Sequence, residues 1–439
     1  MISRIRLTKR VVSPARLFVT TWFFTLIAAY LGPAEEVYQV HGVRTTFTTE
    51  GMLWISACII VFLAGVAAAN RKKIRFSYSR TELLGNTDEN VWKRWQLQMG
   101  VVLVYLFGVG MILMLVYWTV MAVKTVGTVS SFIELTYQEW STIRRLWPAQ
   151  KPFTGARLLY TGFISVVIYA ASGLAIYNSD RTTADSSLFS DSVRLWLVLL
   201  LIGLLPLMIL PLLVSQRILV ATAIVAGIIT YTMISSRGMS LKIPIIGALA
   251  GFGVWTAQEM VRTGFAPDGL TESMLHSTNR VLFYFTNNIG NLNRVVASVP
   301  ERSYGFRSFR FVFRYLFIDD IIKTQYLDSF YSSLALYKGG GPVPALGVPY
   351  LDFGILGLFL IFGWGYIAQL TYLKAPQSLF ASQVYGLVAA TIVLSWHTAL
   401  WGHVVFWTNV GLLFLFVVFV PRLQLIRSRR KTDRSTGTG

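Results

Sequence analysis

Long apolar runs recur along the chain, and between them the sequence turns abruptly to arginine, lysine, glycine and proline. Polar and apolar positions do not alternate within the runs. Most runs reach about 18 residues, enough for a helix to cross a hydrocarbon core of roughly 30 Å. Lipid offers the backbone no hydrogen bonds, so a spanning segment is a helix or part of a closed barrel, and continuous runs select the helix. The pattern predicts about ten spans, near residues 15–32, 51–70, 99–122, 158–177, 195–214, 218–235, 243–261, 350–373, 381–397 and 404–420. Gln216 and Arg217, with Ser215 before them, are all that separates the fifth from the sixth.

Charge orients these spans. Basic residues cluster at the N-terminus (Arg4, Arg6, Lys9, Arg10, Arg16), at "RKKIR" (71–75) and in the tail "RLQLIRSRRKTDR" (422–434). Loops rich in lysine and arginine stay in the cytoplasm, which places all three there, with "SSRGMSLK" (235–242) on the same side. An even number of spans brings both ends to one face. The first apolar run, preceded by its basic segment, reads as an uncleaved signal anchor. The expected organisation is a bundle over 1–261 with an external loop near 123–157, a large external loop over 262–349, C-terminal helices over 350–420 and a basic tail over 421–439.

Composition agrees with this layout. Of 439 residues, 54% are hydrophobic and 13% charged, which excludes an ordinary soluble domain. A net charge of +19 would suit nucleic acid, but no soluble domain is there to bind it. Anionic lipid headgroups and an anionic substrate are the better partners. The single cysteine, Cys58, lies inside an apolar run; it offers no disulfide framework and reads as packing.

The candidate chemistry gathers in the external loops. In "RSYGFRSFRFVFR" (302–314), Arg307, Arg310 and Arg314 recur at helical spacing, and Phe306, Phe309, Phe313 and Phe317 keep the same rhythm one position earlier. Long loops cross regardless of charge, so external arginines need a reason other than topology. A guanidinium presents a planar fork of donors that matches phosphate oxygens. A short amphipathic helix, anchored at the interface by phenylalanine, would turn its arginines toward a lipid-linked phosphate or diphosphate, or else rest on anionic phospholipid.

Upstream, "HSTNRVLFYFTNNIGNLNR" (276–294) sets His276 and Arg280 one helical turn apart. This joins a proton acceptor to a cation, or leaves a solvated histidine beside an arginine. Asn287, Asn288, Asn291 and Asn293 suit sugar hydroxyls or turns. The loop "VGTVSSFIELTYQEWSTIRRLWPAQKPFTGARLLY" (126–160) mixes Tyr137, Trp140, Trp147 and Tyr160 with Arg144, Arg145 and Arg157. That mixture fits carbohydrate, whose C–H faces pack on rings, and equally an interfacial aromatic belt. His397 and His403, in "SWHTALWGH" (395–403), read first as belt residues. There is no metal-ligand cluster, P-loop, dinucleotide fingerprint or nucleophile elbow. Asp319 and Asp320 have no further carboxylate close in sequence and read as a turn or as partners of arginine.

"GGGPVPALGVPYLDFGILGLFLIFGWGY" (339–366) joins a Gly/Pro-rich external segment to a tyrosine, a "DFG" and a glycine-studded span. "TYQEWSTIRRLW" (136–147) and "GARLLY" (155–160) follow the third span, and "SSRG" (235–238) precedes the span leading to the large loop. This layout resembles the Wzy-type O-antigen polymerases of bacteria, over about residues 100–366. The resemblance implies an all-α polytopic membrane protein with about 10–12 transmembrane helices, GT-C-like in fold, in the bacterial inner membrane with its site on the periplasmic face. It implies a metal-independent glycosyltransferase without cofactor, which moves a growing glycan from undecaprenyl diphosphate onto the non-reducing end of an incoming lipid-linked repeat unit. A Wzz-type chain-length co-polymerase is an implied partner.

The residue types that match are His276 and Arg280 for catalysis, and Arg294, Arg302, Arg307, Arg310 and Arg314 for the diphosphate. Tyr137, Trp140, Arg144, Arg145 and Asp352 are the expected glycan contacts. The chemistry of the reaction points the same way. A diphosphate leaving group needs cations where charge develops, and an acceptor hydroxyl needs a base. Rival readings remain: an O-antigen ligase with the same chemistry, and a lipid-linked oligosaccharide flippase or other secondary transporter. A transporter should keep ionisable residues at mid-membrane and show inverted repeats, whereas the span interiors here are almost free of charge. A non-catalytic scaffold is a third.

Overall fold

Among the described residues, helices form where the apolar runs predict spans. The computed structural model describes residues 6–32, 47–71, 89–138, 156–180, 217–235, 238–263, 269–298, 302–316, 318 and 343–419. In chain order the helices are α1 (Pro14–Leu31), α2 (Thr49–Arg71), α3 (Glu89–Val126), α4 (Val129–Gln138), α5 (Ala156–Asp180), α6 (Arg217–Ile234) and α7 (Lys242–Thr263). They continue as α8 (Leu270–Ser298), α9 (Arg310–Tyr315), α10 (Gly347–Phe353), α11 (Gly357–Lys374), α12 (Leu379–Val393) and α13 (Val404–Phe414). Among the described residues, four helices are long and apolar enough to cross a membrane: Pro14–Leu31, Thr49–Arg71, Val101–Val126 and Gly347–Gln377. Shorter apolar helices, Thr161–Ile176, Ile218–Ile234, Leu379–Val393 and Val404–Val418, pack among them. The architecture is that of an all-α polytopic membrane protein. The span expected at 195–214 and the basic tail lie outside the described residues.

Two large apolar clusters share α12, beside a third, smaller one that holds its Tyr385 and Ala389. One joins α1, α2, α8, α10 and α11, and the other joins α3, α5, α6 and α13; Val388 and Ile392 of α12 belong to the first, Leu387 and Ala390 to the second. Because α12 is packed from both sides, it is buried around nearly its whole circumference, including Ser382, Gln383 and Thr391. The most extensive helix pairing among the described residues is between α2 and α11. A Cβ on Gly65 would overlap the carbonyl oxygen of Phe362, and one on Gly365 would overlap that of Phe62. Small residues facing each other let the two backbones meet, which is how helices gain packing in a solvent as apolar as themselves.

The two ends of the bundle differ. At one end β1 (Arg6–Leu7) pairs antiparallel with β2 (Met239–Ser240), so the N-terminal basic segment and the 235–242 connection are neighbours. Tyr372, at the C-terminal end of α11, donates to the Lys9 carbonyl at 3.1 Å on the same side. These are two of the segments that the charge pattern assigned to one face.

The opposite end is capped. α8 has 29 residues, longer than the short amphipathic helices expected in the large loop. Its side chains meet the ends of four other segments. Thr286 donates to the Ala29 carbonyl of α1 at 3.2 Å, and Asn288 donates to the Trp396 carbonyl, just past α12, at 3.2 Å. A Cβ on Gly51, in the first turn of α2, would overlap the Asn293 side chain, and Leu292 lies 3.7 Å from the corresponding position of Gly347 in α10. A buried row, Thr286 to Asn293, makes these contacts and keeps the helix continuous. α8 therefore lies across the end of the bundle as a lid over helix termini.

Candidate functional site

The capped end holds the arginine-rich segment. Its anchor is Asp352, fully buried near the end of α10. The Asp352 carboxylate accepts the Ser303 hydroxyl, the Arg307 N–H at 3.2 Å and the Ser308 N–H at 2.6 Å. The Ser303 N–H also donates to the Leu351 carbonyl at 3.1 Å. The task the structure shows for Asp352, expected as a glycan contact, is to position the turn: three donors of the 303–308 turn meet its carboxylate.

The capture of that turn confines to Arg310–Tyr315 the short helix that the arginine and phenylalanine spacing predicts. Tyr304 and Gly305 adopt positive φ, 43° and 90°; for a bulky residue such as tyrosine this left-handed conformation is strained and persists only where surrounding contacts hold it. Helix α9 begins at Arg310 and has 6 residues. The phenylalanine stripe is split accordingly. Phe306 is buried and stacks on Phe313 with ring centroids 5.5 Å apart, whereas Phe309 stays exposed and faces Phe353 at 6.5 Å. Phe317, Asp319 and Asp320 lie outside the described residues.

Four of the expected diphosphate ligands travel together on this segment, and all four are half-buried: Arg302, Arg307, Arg310 and Arg314. Arg302 is already engaged. Its guanidinium lies 4.7 Å from the Tyr350 ring centroid and donates to the Tyr350 carbonyl at 3.2 Å. Trp54 of α2 meets the same tyrosine edge-on at 4.8 Å, and its indole N–H donates to the Leu346 carbonyl at 2.9 Å. Arg302 is thereby tied through one aromatic ring to a membrane-crossing helix. On the far side, Phe311 stacks on Trp407 at 4.7 Å and Tyr315 shares a hydrogen bond with Thr408 at 3.0 Å, which fastens α9 to α13. A Cβ on Gly402 would sit 2.6 Å from the Arg307 carbonyl oxygen, so only glycine admits this approach.

The catalytic pair expected at His276 and Arg280 does sit on one helix, one turn apart, with Arg280 5.0 Å over the Phe283 ring. Along α8, however, the rise per residue puts His276 about 27 Å from Arg294. Arg294 belongs to the end of α8 near α2 and α10, where burial lowers the affinity of its guanidinium for the proton. The expected site residues therefore fall into two groups on α8 rather than one cluster, and a single small ligand does not span them.

Between the groups the structure brings in a histidine that the sequence placed among belt residues. The Asn288 amide nitrogen, which donates to Trp396, also approaches His397 Nδ1 at 3.5 Å. Trp396 itself packs on Phe285 of α8 with centroids 4.2 Å apart. Loss of surrounding water, with His403 nearby, lowers the His397 imidazole from 6.5 to about 4, so it is neutral at ordinary pH. The Asn288 oxygen and the Ser395 hydroxyl are buried beside it without a hydrogen-bond partner. The only sequence signal for this pairing was the row of asparagines on α8, which spacing alone does not connect to residue 397.

Of the expected glycan contacts, Tyr137 falls in α4, with its side chain outside the described residues, and Trp140, Arg144 and Arg145 lie outside them altogether. Compared with models of known protein families, with curated proteins and with solved structures, the chain matches none of them.

Proposed function

We propose that the chain is a glycosyltransferase that polymerises lipid-diphosphate-linked oligosaccharides at the capped end of its helical bundle. The observation that carries this reading is the arginine segment: four guanidinium groups on one anchored turn and helix, half-buried against the ends of membrane helices. A diphosphate on a prenyl carrier emerges from the bilayer at just such a place. Fixed cations there stabilise the charge that develops on the bridging oxygen as the glycan leaves, and each is worth on the order of 3 kcal/mol of barrier. Being held by protein rather than water, they need no reorganisation during the reaction.

In this reading the capped end faces the periplasm of a bacterial inner membrane and the β1–β2 end, with both termini, faces the cytoplasm. The donor is an undecaprenyl-diphosphate-linked glycan, the acceptor an incoming repeat unit, and a Wzz-type co-polymerase sets chain length. Arg307, Arg310 and Arg314 hold the diphosphate while Arg302 fixes their segment; His276 with Arg280, or the neutral His397, accepts the acceptor's proton.

The test is direct. Purified protein in EDTA, given lipid-linked repeat units, should produce a ladder of products. Joint alanine substitution of Arg307, Arg310 and Arg314 should abolish it at normal expression. A ladder that persists in that variant overturns the reading. Transfer to a lipid A core acceptor in place of repeat units would assign the chain to ligation instead.

A further inference from the structure

The exposure pattern of residues 304–316 is inverted relative to that of a water-facing segment. Arg307, Arg310 and Arg314 are half-buried, with the Nε atoms of Arg307 and Arg310 fully enclosed. Phe309, Val312, Tyr315 and Leu316 are exposed, Leu316 by 60%. An apolar outer face over a cationic inner one is stable only where something other than water covers it.

Continuity identifies the cover. Phe309 adjoins Phe353, and beyond Phe353 the exposed apolar surface continues through Ile355, Leu356 and Phe359, the last 75% exposed. Those residues belong to the span Gly347–Gln377 and face outward from the bundle. On the other flank, α9 is fastened to Trp407 and Thr408, three and four residues past Val404. Four residues correspond to about 6 Å of helix. The segment thus descends beside α13 instead of lying above it.

The backbone is equipped for such a position. At membrane depth, irregular chain persists only if its polar groups are satisfied by protein. The N–H of Phe306 donates to Ser303, those of Arg307 and Ser308 to Asp352, that of Phe309 to Gly305, that of Val312 to Phe309 and that of Leu316 to Val312. Water would satisfy a surface turn without a buried carboxylate; lipid would not.

We infer that residues 304–316 form a re-entrant segment whose Phe309, Val312, Tyr315 and Leu316 face is covered by the acyl and glycerol region of the bilayer, with its arginines on the protein side at the level of lipid phosphates. The inference deepens the proposed function by giving the arginines their depth, but it holds whether or not the chain transfers glycans.

Full-length protein in lipid nanodiscs, spin-labelled at Val312→Cys or Leu316→Cys, tests it. Cys58 is buried and does not compete for label. Phe359→Cys supplies the lipid-facing reference and Arg10→Cys the water-facing one. Collision rates with oxygen, which concentrates among acyl chains, and with a water-soluble nickel chelate are then compared. The ratio of oxygen to nickel accessibility at 312 and 316 should match that at 359 and exceed that at 10 several-fold. A ratio like that at 10, or exclusion of both reagents by some other part of the protein, overturns the inference. Because the readout is accessibility, loss of polymerase activity in any variant does not affect it, and failure here leaves the arginine chemistry to its own assay.

Discussion

The backbone N–H of Ser308 donates to the carboxylate of Asp352 at 2.6 Å, joining residues 44 positions apart. Through this bond and its two companions, one acid decides the shape of the arginine-bearing segment. Asp352→Ala would leave the Ser303 hydroxyl and the N–H groups of Arg307 and Ser308 facing a gap, at a cost of about 3 kcal/mol. The expected result is a lower unfolding temperature in detergent and trypsin cleavage at Arg302, Arg307, Arg310 or Arg314 that the parent resists. Asp352→Asn, which keeps one acceptor oxygen, should lose less. A protease pattern like the parent's in the alanine variant would remove Asp352 from this role.

Arg302 and its neighbours should respond differently to substitution. Arg302→Lys preserves charge but not the flat face that covers Tyr350, and lysine does not reproduce that stacking. It should loosen the turn and lower the unfolding temperature. Arg310→Ala and Arg314→Ala should leave stability near that of the parent while reducing polymerisation about 100-fold. Equal losses of stability at all three positions would mean that the arginines serve the fold alone.

Glycine positions on α2 and α11 offer a stability test with an internal control. Gly65→Ala sets a methyl group against the Phe362 carbonyl and must separate two backbones, costing about 1–3 kcal/mol. Gly363→Ala, on the same α11, meets nothing within 4 Å and should be neutral or slightly stabilising through helix propensity. Thermal unfolding of the two variants in one detergent separates close approach from a general intolerance of substitution.

His397 makes stability depend on pH in a stated direction. Its folded-state value of about 4 lies below the ordinary 6.5, so between these the unfolded chain binds more protons than the folded one. Stability should therefore fall as pH drops from 6.5 to about 4 and change no further from this source below that. His397→Gln should flatten that part of the curve, and His403→Gln should shift it upward in pH by removing a nearby positive charge. Unfolding temperatures recorded from pH 7.5 to 4.5 would show it; identical slopes in parent and His397→Gln would exclude His397 as the source.

The sequence alone determined that the described residues are mostly helical, where their apolar helices lie, and that the N-terminal segment and the stretch around Met239–Ser240 belong at one end. Those properties are local. A run of apolar residues in lipid has no alternative to a helix, and a basic flank has no alternative to water, whatever the rest of the chain does. What the tertiary structure decided depends on partners far apart in sequence. Asp352 reads in the sequence as a glycan contact, whereas in the fold Ser303, Arg307 and Ser308 surround it, and the regular spacing of Arg307, Arg310 and Arg314 suggests a helix that this capture shortens. Asn288 and His397, 109 positions apart, meet only because α8 lies over the end of α12. Periodicity fixes which residues share a face, but the identity of what that face touches is set by packing, and it was packing that turned the apolar side of α9 outward.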